Sequence, residues 1–440
     1  FDYFLSIESY FITLTISLLI GASLFFFGRK ADKNINFINQ LILIILVYFL
    51  IGFLISIPYY LSNFQISFIS AIFEAISGLT GTGFSIINNI KYLDPTLILW
   101  RSSSQWIGGL YFLIFLILFF SNKTFNYKLT NLTFSEDSNF KSEENIKNNI
   151  AKILIIYLSL SIVIFTLLNI SGVRLYNSLN LSMTLISNGG FLPTNNLNEI
   201  ILTNFQKIII VVGLFLSMLN FYLIFNFFNK NILLKDHKED LYLISLSIIL
   251  VILIYFNNFD GLDIIISVLS SLANSGITLI ETDKNLSLYF LMLTIIGGSL
   301  ISNSSGIKFS RFYILLKITS SEILKLISPN SIINKTIFNS EKKITNDIAK
   351  ISFLLFISFF ISLFILSSLL VFDEIGFERS FKLSILALTN TVNSEMYGTQ
   401  SLDFSNLLIS SKISLIFFMI IGKIELVSIF LIFKKLLFKD

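Results

Sequence analysis

Four short polar turns interrupt the hydrophobic stretches of this chain, and they are its best candidates for chemistry. Their residues are Thr80, Gly81, Thr82 and Gly83; Asn188, Gly189 and Gly190; Asn274, Ser275 and Gly276; and Asn390, Thr391, Val392 and Asn393. Glycine permits backbone conformations that are closed to other residues and that let carbonyl oxygens point inward. Carbonyl oxygens arranged in this way can replace the water shell of a cation. The turns therefore predict a site that binds a bare cation through the backbone.

Each turn follows a short hydrophobic segment of roughly a dozen residues, which at about 1.5 Å per residue reaches only partway across a bilayer. We predict that these segments are half-helices, whose negative C-terminal ends point at the turns and favour a cation there. Small residues also mark close helix packing, which is the alternative explanation of any single turn. Four such turns on one predicted side of the membrane favour a pore.

Longer hydrophobic segments flank each half-helix and are long enough to cross a bilayer. We predict spanning helices near 10–28, 39–61, 95–121, 150–171, 205–228, 240–257, 286–306, 349–372 and 408–433. The chain is 54% hydrophobic and 13% charged, and its mean hydropathy is +0.82. We therefore expect an all-α integral membrane protein. The first segment is followed by Arg29 and Lys30 and is expected to remain as a helix rather than to be cleaved as a signal peptide.

Charge predicts the orientation. Most of the 31 lysines and arginines lie in loops on the side opposite the four turns. The positive-inside rule therefore places those loops in the cytoplasm and the turns on the outside of the cytoplasmic membrane.

The turns mark an internal fourfold repeat, with equivalent positions expected at 83, 190, 276 and 393, about a hundred residues apart. One chain would then carry four helix, half-helix, turn and helix units around a pseudo-fourfold pore. The predicted units are an N-terminal helix (1–34), repeat 1 (35–122), a cytoplasmic loop (123–149), repeat 2 (150–230), repeat 3 with a broken last helix (231–312), a cytoplasmic linker (313–347) and repeat 4 (348–440).

Several kinds of function are excluded or disfavoured. The chain has no cysteine and one histidine, so disulfides and a Cys/His metal site are excluded. The net charge of +4 is spread over loops and predicts no nucleic-acid site. No set of residues suited to intramembrane catalysis is present, so we do not expect an enzyme. No covalent cofactor is expected.

The residues around the turns resemble the Trk/Ktr/HKT superfamily of potassium uptake proteins, in particular the membrane subunit of bacterial Trk-type or Ktr-type systems. Segment 74–83 is similar to the first pore helix and filter, and segment 187–191 is similar to the second filter. Segment 296–311 is similar to the interrupted helix that follows the third filter. Ser328, Pro329 and Asn330, and Gly422 to Glu425, match later signatures. The resemblance covers nearly the whole chain, and the order and spacing of these motifs carry it.

This resemblance implies potassium uptake through a filter made by the backbone of the four turns, a homodimer of such chains, and a cytoplasmic nucleotide-binding ring that regulates them. Potassium is then the transported substrate, with sodium as a conceivable coupling ion. The fourth turn departs from the family pattern, because Asn393 stands where a glycine is usual. Asparagine is the residue that best tolerates the left-handed backbone after glycine, so we expect the filter to keep its shape.

The resemblance also implies a gate. Polar side chains inside the seventh predicted helix can compete with helical hydrogen bonds, and in the family this segment is a loop that obstructs the pore. The gate residues are Ser299, Ser302, Asn303, Ser304, Ser305, Gly306 and Lys423. Lys423 lies near the middle of the last helix, where a charge is costly unless it faces a partner or the pore. A pore role and a structural ion pair are both open from the sequence.

Two further choices stay open at this stage. The chain could conduct or couple to sodium within the same superfamily, or it could be a secondary transporter for another solute, which also uses broken helices. Arg101, Gln105 and Trp106 begin the third spanning helix, where an interfacial anchor and a support for the filter are equally expected.

Overall fold

A computed structural model describes residues 7–29, 37–62, 64, 66–121, 143–221, 223–224, 238–255, 261–279, 286–328, 335–338, 343–399 and 402–424. Pro329, Asn330, Glu425 and most of the predicted loop 123–149 lie outside these residues. Within them the chain folds into helices and turns, and the one β pairing is an isolated bridge between Thr336 and Lys343. The all-α prediction is confirmed.

The α-helices fall into long helices and short ones. In chain order they are α1 (Ile7–Gly28), α2 (Phe37–Tyr60), α3 (Phe68–Thr80), α4 (Pro95–Ser121), α5 (Glu143–Ile170), α6 (Leu175–Ser187), α7 (Asn204–Met218), α8 (Lys238–Tyr255), α9 (Gly261–Ala273), α10 (Ser287–Ile296), α11 (Phe309–Ile327), α12 (Asn346–Phe372), α13 (Phe377–Leu388) and α14 (Ile409–Ile424). Four of them, α1, α2, α5 and α12, are long and apolar enough to cross a membrane by length and composition.

Two of the predicted spanning helices are interrupted. Helix α7 stops at Met218 and residues 219–220 are not helical, and the segment predicted at 286–306 is helical only to Ile296. The two breaks bind each other: the Ser299 N–H donates to the Met218 carbonyl (3.0 Å) and the Phe221 N–H donates to the Ile301 carbonyl (2.9 Å). Each segment thus supplies backbone partners that the other would have found inside a helix. Helix α11 occupies the first part of the segment predicted as a linker.

The four half-helices are α3, α6, α9 and α13, with 13, 13, 13 and 12 residues. Each packs against helices of its own repeat, and also against a helix of the preceding repeat: α3 against α14, α6 against α4, α9 against α7, and α13 against α10. The contact between α3 and α14 joins the last repeat to the first. The repeats therefore close into a cycle, in which the half-helices occupy the buried centre.

The long helices place their apolar side chains outward. Phe25 and Phe27 on α1, and Phe364 and Phe372 on α12, are more than half exposed. An exposed apolar surface of this extent is costly in water and favourable in lipid. The burial pattern, apolar outside and serine-rich and threonine-rich at the centre, is that of a membrane protein built around a polar axis.

Candidate functional site

The four half-helices end in the same way. At each end the N–H of one residue donates to the carbonyl three residues earlier: Gly81 to Gly78, Asn188 to Leu185, Asn274 to Ser271, and Asn390 to Ala387. These four residues adopt left-handed backbone conformations, with φ of 79°, 56°, 64° and 50°. Glycine and asparagine are the residues that adopt this conformation most readily, and they commonly end helices. We call them the cap residues.

The cap residues correct the predicted alignment of the fourth turn. Two residues beyond the first three caps lie Gly83, Gly190 and Gly276, and two residues beyond Asn390 lies Val392. The prediction that Asn393 takes the glycine position is therefore wrong by one residue. The left-handed asparagine of this turn is the cap residue Asn390 and not Asn393.

The asparagine caps also tie each turn to the helix that follows it. Their side-chain amides donate to backbone carbonyls of Ser217 (3.3 Å, from Asn188), Thr294 (2.7 Å, from Asn274) and Met419 (2.8 Å, from Asn390). This repeated contact was not predicted. Its signal in the sequence is an asparagine at the same place in three of the four turns.

Hydrogen bonds join three of the four neighbouring pairs of turns. The Ser275 hydroxyl of turn 3 donates to the Gly189 carbonyl of turn 2 at 2.8 Å. The Asn274 amide of turn 3 lies 3.4 Å from the Thr391 hydroxyl of turn 4. The Asn390 amide of turn 4 donates to the Thr82 hydroxyl of turn 1 at 3.0 Å.

Turns 1 and 2 meet through their backbones. A β-carbon added to Gly83 would lie 2.9 Å from the α-carbon of Gly190. The structure thus brings all four predicted turns together in one ring. We call this the turn ring.

Hydroxyl groups of the half-helices support the turns unequally. The Ser77 hydroxyl donates to the Phe84 carbonyl at 2.6 Å, and the Thr184 hydroxyl donates to the Phe191 carbonyl at 2.9 Å. Both donors lie four residues before a cap. The matching residue of the fourth half-helix is Leu386, which carries no hydroxyl. The fourth turn therefore lacks both the glycine and the supporting hydroxyl found in turns 1 and 2.

A buried ion pair holds the outer side of turn 1. Arg101 Nε lies 3.0 Å from Glu74 Oε1, and the two side chains are 2% and 0% exposed. The second Glu74 oxygen accepts the Ile86 N–H at 2.9 Å. The Arg101 guanidinium also lies over the Phe191 ring, 4.1 Å from its centroid. Arg101 is therefore a support for turns 1 and 2 rather than an interfacial anchor.

Gln105 supports turn 2 from the same helix. Its side-chain oxygen accepts the Phe191 N–H at 3.2 Å, and it is fully buried. Of the three residues for which the sequence left both roles open, Arg101 and Gln105 contact the turns. Trp106 lies farther along α4 and donates to the Ser161 hydroxyl at 2.9 Å.

A cavity of about 690 Å³ opens above the ring, at the loop side of the half-helices. Gly83, Gly190, Gly276 and Val392 line it, with Asn393 beside them. We call it the outer cavity. Its lining includes many amide and hydroxyl side chains, such as Asn88 and Asn195.

Residues 297–308, which we call the interrupting loop, lie on the side of the ring opposite the outer cavity. The predicted gate residues Ser299, Ser302, Asn303, Ser304, Ser305 and Gly306 are all in it. The Asn303 amide donates to the Ile186 carbonyl at 2.7 Å, and the Ser305 N–H donates to the Asn274 side chain at 3.1 Å. The loop is therefore docked directly beneath turns 2 and 3.

Lys423 reaches the same place from α14. Its ammonium donates to the Asn303 carbonyl at 3.0 Å and lies 4.6 Å from the centroid of the Phe112 ring. A β-carbon added to Gly81 would be 3.8 Å from this ammonium. The Lys423 side chain is 3% exposed. Among the described residues its polar partner is the loop backbone and not a carboxylate.

Three charged residues that the sequence did not single out hold the interrupting loop. Glu239 accepts the Leu300 N–H at 2.9 Å, and Asp240 accepts the Ser299 hydroxyl. The Lys308 ammonium turns back into its own loop and donates to the Ser302 carbonyl at 3.2 Å and to the Ser304 carbonyl. Glu239 and Asp240 resemble ordinary acidic residues at a helix start, so only the fold identifies their role.

In the part of the chain that the structure describes, the helices and the central ring of turns form the fold of a membrane transport protein. The model of the TrkH family, described as a cation transport protein, matches residues 6–282, and this chain belongs to that family.

The chain aligns along most of its length with curated proteins. An uncharacterised cation transporter of Methanocaldococcus jannaschii is 27% identical, over 98% of this chain and 90% of that protein. The Trk system potassium uptake protein TrkG of Escherichia coli is 24% identical, over 97% and 91%. The crystal structure of the potassium transporter TrkH from Vibrio parahaemolyticus matches with a TM-score of 0.85 over 96% of this chain and 91% of that chain, at 19% identity. The two chains share a fold.

Proposed function

We propose that the turn ring is the selectivity filter through which potassium enters the cell. The observation that carries this proposal is the closed ring of four turns, each at the C-terminal end of a buried half-helix. Each helix end contributes a partial negative charge of about half an elementary charge, so four of them favour a cation at the ring. Backbone carbonyls of the turns are the proposed ligands that replace the hydration shell.

The choice of potassium rests on the relatives. TrkG of Escherichia coli is named as a potassium uptake protein, and the relative from Vibrio parahaemolyticus is named as a potassium transporter. Sodium conduction or sodium coupling is the competing possibility within the same family. Uptake of radioactive rubidium and sodium into proteoliposomes, with and without a gradient of the other ion, separates the two.

The interrupting loop and Lys423 form the proposed gate. The loop lies against the inner face of turns 2 and 3, where it blocks the axis below the filter. The Lys423 ammonium donates a hydrogen bond to the Asn303 carbonyl. It also places a positive charge on the path of a cation that leaves the filter toward the cytoplasm. Opening of the gate then requires the loop to move away from Lys423. Of the two roles that the sequence leaves open for Lys423, this proposal assigns the pore role and not the structural ion pair.

The proposal extends to location and partners. The chain would lie in the cytoplasmic membrane as a multi-pass protein with the turns outside. It would form a homodimer and bind a cytoplasmic nucleotide-binding ring subunit, as the resemblance to the Trk/Ktr/HKT superfamily implies. Light scattering of the purified chain tests the dimer, since a monomeric mass in detergent and in nanodiscs would contradict it.

We predict that Gly83→Asp abolishes growth rescue of a potassium-uptake-deficient strain at low external potassium. Gly83 has a φ of 78°, and an added β-carbon would contact Gly190 and Val392, so the change strains turn 1 and narrows the ring. The matched control is Gly376→Asp at the start of α13, where an added β-carbon meets nothing within 4 Å. Rescue by Gly83→Asp at normal membrane abundance would reject the ring as the filter.

A further inference from the structure

The fourth turn places a side chain where the other three have none. Val392 takes the position of Gly83, Gly190 and Gly276, and its side chain is partly exposed on the floor of the outer cavity. A β-branched residue resists left-handed backbone conformations. Val392 is not among the residues with positive φ, so it is accommodated without that strain.

The Val392 side chain reaches all three of the other turns. A β-carbon added to Gly276 would lie 2.7 Å from Val392 Cγ1, and one added to Gly83 would lie 3.0 Å from Val392 Cγ2. For Gly190, both γ-carbons of Val392 would be 2.9 Å away. A side chain in contact with the three other members of a four-membered ring lies at the centre of that ring.

This position matters because the ring centre is where an ion must pass, if the proposed function holds. A cation that leaves the outer cavity exchanges water oxygens for protein oxygens. The two methyl groups of Val392 offer none, and they fill space that an ion and its remaining water need. Apolar constrictions of this kind oppose ion passage by excluding water.

We propose that Val392 is the residue that limits ion throughput at the outer end of the filter. The three glycine turns supply a passage lined by backbone, and Val392 narrows it with an apolar side chain. The barrier at the outer end of the filter is then set by a side chain of the fourth turn and not by the backbone geometry of the ring alone, and it lies in series with the proposed gate at Lys423. This inference rests on the proposed function and specifies how its site works.

The first test measures rubidium uptake into proteoliposomes that contain the full chain. Val392→Gly is expected to raise the initial rate by about tenfold, because it removes the apolar constriction. Val392→Ala should give an intermediate rise. Val392→Thr keeps the shape and replaces a methyl with a hydroxyl, and it should also raise uptake. The last two variants keep the test valid if the glycine variant folds poorly.

The possible results separate the inference from the proposed function. Uptake by the wild-type chain that none of the three variants changes, at equal reconstituted protein, would overturn the inference alone. Uptake that is absent in the wild-type chain and appears when Val392 is replaced would support the inference that Val392 blocks the outer end of the filter. Absence of rubidium uptake in the wild-type chain and in every variant would overturn the proposed function, and the inference with it.

A second test does not depend on flux. The chain has no cysteine, so Val392→Cys introduces a single thiol. A cationic thiosulfonate reagent added from outside should modify it, and potassium should slow the reaction. The control is Ile385→Cys on the half-helix that precedes this turn, because Ile385 is 3% exposed and should stay unmodified. If the thiol at 392 is as unreactive as the control by mass spectrometry, Val392 does not lie on the ion path.

Discussion

At the scale of single residues, Lys423 carries the most consequential charge. A charged side chain inside a membrane costs at least a few kcal/mol and is kept where it has a function. Its ammonium donates to the Asn303 carbonyl and faces the Phe112 ring. The described partners are thus a carbonyl and an aromatic face, neither of which cancels the positive charge. In the proposed gate, this charge opposes a cation beneath the ring.

We predict that Lys423→Met raises rubidium uptake several-fold at unchanged protein abundance. Methionine keeps much of the length and apolar contact of the lysine stem but removes the charge and the hydrogen bond to Asn303. Lys423→Arg retains both and should behave like the wild-type chain. Initial uptake rates in proteoliposomes, normalised to reconstituted protein, provide the measurement. Loss of the methionine variant from the membrane, with no gain in uptake, would assign Lys423 a structural role instead.

At the scale of elements, the interrupting loop is held under constraint from both ends. Three of its residues have positive φ values: 70° at Gly297, 76° at Gly306 and 76° at Lys308. Lys308 is the residue for which this is costly, since it carries a side chain. Its ammonium compensates by binding carbonyls of the loop, while Glu239 and Asp240 bind the loop from α8. These contacts hold the loop against α8 and against its own backbone.

We predict that Lys308→Met loosens the interrupting loop. Without the ammonium the carbonyls of Ser302 and Ser304 lose their donor, so local opening becomes easier. Hydrogen exchange of the amides in 299–306, measured in nanodiscs, should accelerate by about tenfold. Lys325→Met is the control, because Lys325 lies in an exposed ion pair with Glu322 on the same helix, α11. Unchanged exchange in the Lys308 variant would mean that Glu239 and Asp240 are sufficient to hold the loop.

The elements also show what the sequence could and could not predict. The half-helices were predictable because hydrophobic length and small polar turns are local signals. The sequence leaves the alignment of the fourth turn ambiguous because Asn390 and Asn393 are both suited to a left-handed position. The hydrogen bond from the Asn390 N–H to the Ala387 carbonyl decides between them. The ion pair of Glu74 with Arg101 joins residues of different helices, so no local spacing identifies it.

At the scale of the whole molecule, the cycle of repeats makes the site depend on the entire chain. The bond from Asn390 to Thr82 joins residues 308 positions apart, and the contact between α14 and α3 closes the same junction. Four copies of one unit explain why the ring forms. The differences among the copies, Val392 in turn 4 and the interrupting loop in repeat 3, are the features that we propose as the constriction and the block of the axis. The internal repeat in the sequence predicts the ring, but it does not predict Val392 in turn 4 or the interrupting loop in repeat 3, because these features differ between the copies.

The orientation of the whole molecule is the last prediction, and the absence of native cysteine makes it testable with single thiols. Glu395 is exposed beside the outer cavity, and the Lys325 side chain is 45% exposed near the end of α11. The positive-inside rule places the first outside and the second in the cytoplasm.

In intact cells, a membrane-impermeant maleimide should therefore label the Glu395→Cys variant and leave the Lys325→Cys variant unlabelled until the membrane is permeabilised. The two variants act as controls for each other, since each should be accessible from one side only. The reverse labelling pattern would mean that the outer cavity faces the cytoplasm, and the half-helices would then favour a cation near the cytoplasmic side of the membrane. Uptake with the interrupting loop as an inner gate requires the first pattern, because that loop lies on the far side of the ring from the outer cavity.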